Sequence, residues 1–139
     1  MSFETEIPEF KLKNQRKIKR LLKAILYSHG YVYSNLAYLF TSDQKIVKIN
    51  KEFLGHDYPT DIITFDYTVR NCVQADIVIS VDTVRQNAIH LEEPFLRELH
   101  RVIIHGVLHL VGYNDKVDDE KVKMRGKENL YLENMPWLD

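Results

Sequence analysis

The chain has 139 residues, of which 45% are apolar, with one cysteine and a formal net charge of −1. This length suits one domain that buries its core without disulfides, and the lone Cys72 excludes an internal disulfide and a cysteine-rich metal site. No apolar run approaches the ~18 residues of a membrane helix, and the N-terminus lacks the pattern of a signal peptide. We therefore expect one domain over residues 1–139, in the cytoplasm and without membrane contact.

Charge is distributed unevenly along the chain. Residues 1–51 carry ten Lys or Arg and four Asp or Glu, whereas residues 52–139 carry nine and sixteen. Seven of the basic residues lie between Lys11 and Lys23, with no acid among them. This pattern indicates an electropositive surface beside a more acidic body, although a solvated helix face has the same signature.

Apolar periodicity and turn residues predict alternating strands and helices. In the first half of the chain, we expect a short edge strand within residues 3–13, an amphipathic helix over 14–28 and a strand over 31–40. A second helix follows, which Thr41 and Gln44 begin as a capping box, and then a loop over 55–60. In the second half, we expect strands over 61–67 and 74–81, joined as a hairpin, and helices over 82–90, from 93 to 110 with Pro94 in the first turn, and from 118 onward. This order predicts an α+β fold in which about five helices pack with a mixed sheet of about four strands.

The stretch 103–115 holds the strongest candidate site. His105 and His109 are four residues apart in an apolar run, so on a helix both imidazoles project from one face. Gly112 follows where a helix can end in a left-handed residue, and the turn that it permits brings Asp115 back toward the histidines. The spacing H-x-x-x-H-x-x-G-x-x-D therefore predicts two nitrogen ligands and one carboxylate ligand for a metal ion.

Two histidines and one carboxylate suit a catalytic zinc ion, which leaves one position for a water whose pKa falls to about 7. The spacing is similar to that of metzincin proteases, but Gly106 replaces the glutamate that serves those enzymes as general base. We therefore assign no catalytic residue beyond the metal-activated water. The proton transfers have to involve another part of the chain or the substrate.

Other interpretations of this stretch stay open. His105 and His109 would instead be core residues if each bonded a carbonyl or a side chain, but two neighbouring buried imidazoles are hard to satisfy. Asp118 and Asp119 are alternatives to Asp115 as the acidic ligand, although the start of the last helix already employs them. Two histidines and a carboxylate also form the facial triad of non-haem iron oxygenases.

Four segments agree in order and distance with the motifs of one known family. They are INKEF at 49–53, PTDIITF at 59–65, ADIVIS at 75–80 and HGVLHLVGY at 105–113. The first three are similar to L-N-x-x-[YF], P-T-D-V-L-S-F and G-D-I-x-I-S, and the last is similar to H-G-x-L-H-L-x-G-Y-D-H. With these segments, which span about half of its length, the chain resembles the YbeY endoribonucleases, metal-dependent bacterial rRNA maturation factors.

The resemblance implies a single α/β domain with a zinc site at the end of the central helix. It also implies a single-strand-specific endoribonuclease that processes the 3′ end of 16S rRNA and acts in ribosome quality control. RNA and the small ribosomal subunit would be its partners. Two alternatives stay open: a non-catalytic ribosome assembly factor that metal stabilises, and a metal-dependent hydrolase or oxygenase of another substrate class. Whether water or the 2′-hydroxyl group is the nucleophile is also open.

Asp115 stands where the family has a third histidine. An aspartate binds zinc at about 2.0–2.2 Å, so we retain Asp115 as a ligand together with His105 and His109. Its negative charge should leave the bound water less acidic than three imidazoles would, and should bias the site toward other divalent metals. We therefore expect an activity profile displaced to higher pH than that of a three-histidine site.

Leu54 stands where the family has an arginine, a residue whose planar fork grips phosphate oxygens. Either Lys51 or His56 compensates for it, or the geometry of the substrate differs. With an RNA substrate implied, the basic segment is a candidate for binding phosphates, and we single out Arg16 and Arg20 for this role.

Several other residues are secondary candidates. Asp61 and Asp76 lie at strand starts, where each would serve either as a second-shell carboxylate that orients a ligand histidine or as a cap. Tyr113 is expected to line the pocket or to pack beside the turn. Surface, packing or helix-end roles are expected for the three remaining helix-associated histidines, which are His29, His90 and His100.

Overall fold

The structure, a computed structural model, describes residues 1–135. Residues 136–139, which end the range expected for the domain, lie outside the described residues. The described chain forms four strands and five helices: β1 (Ser2–Thr5), α1 (Gln15–Ser28), β2 (Val32–Thr41), α2 (Asp43–Leu54), β3 (Ile62–Asp66), β4 (Cys72–Ser80), α3 (Val81–His90), α4 (Phe95–Leu110) and α5 (Asp118–Glu133). The number, type and order of these elements confirm the α+β fold that the sequence predicts.

The four strands form one mixed sheet in the order β1-β2-β4-β3. Strands β1, β2 and β4 are parallel, and β3 returns antiparallel to β4 as the predicted hairpin. Because β4 lies between β2 and β3, its residues Ile77, Val78 and Ile79 are buried on both faces of the sheet. Strand β3 forms one edge of the sheet, and its residues border a cavity together with the end of α4.

Helix α4 lies across the sheet and is the most deeply buried helix, with eleven buried residues. Its closest approach to the sheet is at Gly106. A Cβ atom added there would lie 3.0 Å from Cδ1 of Ile77 and 3.1 Å from Cδ1 of Ile62. A glycine at this point therefore lets the helix settle against β3 and β4.

Two helix starts differ from the sequence prediction. Ser42, and not Thr41, caps α2, since its hydroxyl accepts a hydrogen bond from the Lys45 amide at 3.3 Å. Thr41 instead ends β2, where it pairs with Ser80. Pro94 lies at the N-cap of α4, one position before the first helical turn.

Among the helices of residues 1–135, none combines the length and the apolarity that crossing a membrane would require.

Candidate metal centre

The last two turns of α4 present the two motif histidines. His105 and His109 lie one turn apart on one face of the helix, with ring centroids 4.6 Å apart and planes at 83°. Their side chains are 19% and 32% exposed, so each ring is held by the protein but reaches a solvent-filled cleft. Gly106 between them points to the sheet, which leaves the histidine face free of the closest packing.

A Schellman turn ends α4 and returns the chain toward the histidines. Gly112 adopts φ 104°, its amide donates to the His109 carbonyl at 3.1 Å, and the Tyr113 amide donates to the Leu108 carbonyl at 3.0 Å. This reversal carries Asp115 to the two imidazoles. The geometry follows the turn that the sequence predicts from Gly112.

Three donor atoms converge at the end of α4. An Asp115 oxygen lies 3.4 Å from Nε2 of His105, and its other oxygen lies 3.4 Å from Nε2 of His109. One donor atom from each of the three residues can be chosen so that all three atoms lie within 4.8 Å of one another. A tetrahedral zinc ion with bonds of about 2.1 Å separates its ligand atoms by roughly 3.4 Å. The donors therefore match a divalent ion in number, chemical type and spacing.

Glu128 of α5 completes the surroundings of His105, and the sequence analysis did not identify it. Its Oε2 lies 2.7 Å from Nδ1 of His105, and the Glu128 side chain is only 4% exposed. Because an ionised carboxylate only accepts hydrogen bonds, the shared hydrogen belongs to Nδ1. The Nε2 lone pair of His105 is then directed to the site, which is the usual arrangement of a metal-ligating histidine.

A sequence signal for Glu128 existed in the pattern of α5. Met124, Glu128 and Leu132 follow one another at four-residue intervals and are the buried residues of that helix. A single acid in an otherwise apolar stripe must find a partner inside the protein. The partners are His105 and Arg101, the latter with Nη1 at 3.7 Å from the Glu128 carboxylate.

Opposing effects act on the pKa of His105. Burial favours the neutral ring, but the hydrogen bond to Glu128 and the negative charges of Glu128, Asp115 and Asp61 outweigh burial and raise the pKa of His105. A cluster that attracts a proton to this ring also attracts a cation to the same place.

Asp61 lies beside the metal centre. Its carboxylate borders the cavities on both sides of His105 and is 3.5 Å from the Thr60 hydroxyl and 3.5 Å from the Asn87 amide nitrogen. Burial raises the pKa of Asp61, while the neighbouring His105 and local hydrogen bonds act in the opposite direction. The carboxylate that accepts the orienting hydrogen bond from His105 is that of Glu128, so the role of Asp61 in orienting a ligand histidine stays a prediction.

Asp76 lies away from the donor cluster, so the hypothesis that it orients a ligand histidine is wrong. Its neighbours Ala75 and Ile77 point into the core on the α4 side of the sheet. Side chains alternate along a strand, so Asp76 projects from the opposite face, where it is exposed and pairs in register with Phe65 of β3.

The residues predicted to bind substrate lie on other parts of the surface. Arg16 and Arg20 are exposed on α1. Lys51 forms an exposed ion pair with Asp57 at 3.9 Å, and His56 stacks on Tyr58 at 5.2 Å between ring centroids. These four predicted residues are absent from the linings of the two cavities next to His105.

The turn that carries Asp115 is braced from α1. The Tyr113 hydroxyl lies 3.1 Å from Nε2 of His29, whose Nδ1 lies 2.7 Å from the Ile25 carbonyl oxygen at the end of α1. Lys123 of α5 lies over the Tyr113 ring, with its ammonium 5.7 Å from the centroid. Tyr113 is therefore a packing residue of the turn, as one of its two predicted roles required.

Two cavities flank the metal centre. The α5 cavity, of about 260 Å³, lies between α4 and α5 and is bordered by His105, Glu128 and Arg125. The β3 cavity, of about 550 Å³, lies between β3 and the end of α4 and is bordered by Thr64, Asp66 and His109 among others. Asp61, His105 and Asp115 belong to both, so the donor cluster separates two approaches.

Comparisons with known proteins match nearly the whole described chain. A family model described as Endoribonuclease YbeY matches residues 2–136. Two relatives named Endoribonuclease YbeY are those of Phocaeicola vulgatus, 46% identical over 95% of this chain and 96% of the relative, and of Parabacteroides distasonis, 43% identical over 96% and 92%. A solution structure of a Thermotoga maritima protein has a TM-score of 0.61 at 27% identity and covers 96% of this chain and 87% of that protein.

Proposed function

The chain belongs to the endoribonuclease YbeY family, and from this premise we propose that it cleaves single-stranded RNA with the help of a divalent metal ion held at the end of α4. One observation carries the proposal: the Asp115 carboxylate lies 3.4 Å from an imidazole nitrogen of His105 and 3.4 Å from one of His109, with all three donors inside 4.8 Å, a cluster that suits a divalent ion. The whole range 1–139 would serve as one catalytic domain.

His105, His109 and Asp115 would hold the ion, and we infer zinc, which catalytic sites bind with histidine and carboxylate ligands. A bound divalent ion would activate a water molecule or polarise the scissile phosphate. The chain's own residues prepare the place: Glu128 fixes the ring of His105 with Nε2 toward the site, and the Schellman turn at Gly112 fixes Asp115.

A general base cannot be supplied from the position after the first histidine. That position is Gly106, whose Cα faces Ile77 and Ile62 at a distance that leaves no room for a long side chain. Asp61 is better placed to exchange a proton, because its carboxylate borders both cavities beside His105.

For the substrate, we infer rRNA. The family resemblance supports processing of the 3′ end of 16S rRNA and ribosome quality control, with the small ribosomal subunit as partner and the cytoplasm as location. The basic segment from Lys11 to Lys23 supports RNA binding, since it holds seven Lys and Arg without an acid among them, five of them in α1. Reversing the charges of Arg16 and Arg20 is expected to weaken RNA binding and flatten its salt dependence, and unchanged affinity at low salt would remove α1 from this role.

The decisive experiment is elemental analysis of purified protein, paired with a cleavage assay on single-stranded rRNA fragments. Asp115→Ala is compared with Asp119→Ala, which removes an exposed acid at the start of α5. We expect near-stoichiometric zinc and cleavage in the wild type and in Asp119→Ala, and loss of both in Asp115→Ala.

Other outcomes favour the alternatives. Metal-free protein that still cleaves RNA would overturn the proposal. Iron in place of zinc, without cleavage, would favour an oxygenase. If the protein does not cleave RNA and removal of the metal lowers its unfolding temperature, a metal-stabilised assembly factor would be favoured.

A further inference from the structure

The two cavities beside His105 differ in charge. Among the described residues, the β3 cavity is lined by three carboxylates, those of Asp61, Asp66 and Asp115, and by no Lys or Arg. The α5 cavity has four carboxylates but also three cations, which are Arg101, Lys121 and Arg125. A phosphodiester carries one negative charge, so the two cavities are not equivalent routes for an RNA backbone.

A bound divalent ion would change the sign of the net charge in only one of the two cavities. Counted with neutral histidines, the lining of the α5 cavity has one negative charge in excess, and that of the β3 cavity has three. Two positive charges at the shared donors would leave the α5 cavity net positive and the β3 cavity still negative. Electrostatics therefore favours the α5 cavity for a phosphate group beside the metal.

The three cations are not equally free to bind a phosphate. Arg101 is buried and already paired, since its Nε lies 3.1 Å from Glu98 and its Nη1 donates to Asn129 at 2.7 Å. Lys121 and Arg125 lie one turn apart at the rim of the cavity, on the same face of α5. Within residues 1–135, no carboxylate lies within 4.0 Å of the Lys121 ammonium, and Arg125 is 51% exposed with a 3.8 Å contact to Glu128.

We propose that Lys121 and Arg125 bind the phosphates of single-stranded RNA as it enters the metal centre along α5. The inference rests on the proposed function and assigns the route of the substrate within that site. It also accounts for Leu54, because α2 then has no phosphate to hold. Leu54 is 49% exposed, and the nearby Lys51 is paired with Asp57.

The test measures binding of a short fluorescein-labelled, 2′-O-methyl single-stranded RNA by fluorescence anisotropy. Metal-loaded wild type is compared with Lys121→Ala, Arg125→Gln and the double variant, between about 50 and 200 mM salt. Lys127→Ala is the matched control, since it removes the same charge from the same helix but does not line the cavity. Gel electrophoresis after each titration checks that the probe is intact.

We expect each rim substitution to weaken binding roughly tenfold at low salt. In the double variant, the plot of log K against log salt should have a slope that is less negative by about 1.4. Lys127→Ala should stay near the wild type. Arg125→Lys, which keeps the charge, should restore most of the affinity, whereas an effect through packing with Glu128 would not be rescued in this way. Zinc content and unfolding temperature of the single variants should be unchanged.

Failure of this inference is distinguishable from failure of the proposed function. If the wild type binds and cleaves RNA but the double variant retains its affinity and salt slope, the route along α5 is wrong and the function stands. If Lys127→Ala weakens binding as much as the rim variants, the effect is general charge and the route is also wrong. If the wild type holds no metal and cleaves no RNA, the proposed function itself fails, and the route fails with it.

Discussion

Helix α4 carries two histidines, five residues apart, in different electrostatic surroundings: His100 is buried and His105 is partly buried. His100, 3% exposed, has one hydrogen bond, from Nδ1 to the Leu96 carbonyl at 2.6 Å, and its buried Nε2 has no partner within the described structure. His105 has a carboxylate on each side, Glu128 at Nδ1 and Asp115 at Nε2. Burial lowers the pKa of His100, whereas the acids around His105 outweigh burial and raise its pKa.

The difference separates a packing histidine from one whose surroundings suit a metal ligand. Both rings occupy an apolar helix, and His100 demonstrates that a core can accommodate an imidazole with one carbonyl partner. Convergent carboxylates, which come from a turn and from another helix, distinguish the C-terminal half of α4. The following predictions test whether the two histidines are as different as their surroundings.

The largest effect is expected from Glu128→Gln. The glutamine oxygen can still accept from Nδ1 of His105, but the negative charge that polarises the ring is lost, so zinc affinity should fall about 10–100-fold. A competition titration with a chromophoric chelator measures this. Glu133→Gln, an exposed charge change on the same helix, serves as control, and equal affinities in the two variants would show that Glu128 does not support the ligand.

Asp115→His should shift the pH dependence of cleavage to lower pH. A neutral imidazole in place of the carboxylate leaves more positive charge on the ion and makes water at the site more acidic. The pH profile of cleavage is recorded for both proteins at saturating zinc. Coincident profiles would mean that the charge of Asp115 does not set the pH dependence.

Stability of the metal-free protein should respond to pH through both histidines, with opposite signs. An unfolded histidine titrates near pH 6.5. The native pKa of His100 is lower, so as pH falls below about 6.5 the unfolded chain takes up a proton that the native state does not, and stability falls. The native pKa of His105 is higher, so its stabilisation is complete below about pH 6.5 and is lost as pH rises through that native pKa.

Urea unfolding of EDTA-treated wild type, His100→Gln and His105→Gln across this range separates the two contributions. Loss of His100 should flatten the acid side of the stability curve, and loss of His105 should flatten the neutral side. If both variants flatten the same side, the two surroundings do not differ in the way described.

The smallest effect is expected from His100→Leu. Leucine is similar in volume to histidine, and the substitution removes a buried nitrogen that has no partner. The free energy of unfolding at neutral pH should therefore change by less than about 1.5 kcal/mol. Zinc affinity should change by less than roughly twofold. A marked loss of zinc in this variant would show that the two halves of α4 are coupled.

Local sequence signals sufficed for most of the fold. Apolar periodicity, cap residues and acids at helix starts located the five helices, and the near-continuous apolar run in β4 identified the central strand. Caps were less certain because neighbouring residues compete: Thr41 and Ser42 both have hydroxyl groups, and pairing with Ser80 keeps Thr41 in the strand. Which of the two begins α2 depends on a tertiary contact.

The candidate site also has one part that local sequence encodes and another that depends on tertiary packing. His105, His109 and Asp115 come together through one helix and one turn, which the spacing of the sequence encodes. Glu128 reaches the site from 23 residues further along, through packing of α5 on α4. Asp76 was expected at the start of a strand but lies in the middle of β4, where alternation places it on the face of the sheet opposite to α4.

The contact between Glu128 and His105 also has a consequence for biosynthesis. A nascent chain that has been translated as far as residue 115 already contains all three donor residues, but the carboxylate that orients His105 is made later. The ring acquires its final tautomer and direction only when α5 has been translated and has docked on α4. An enzyme that cuts RNA would thereby keep an incomplete centre while it is still attached to the ribosome that makes it.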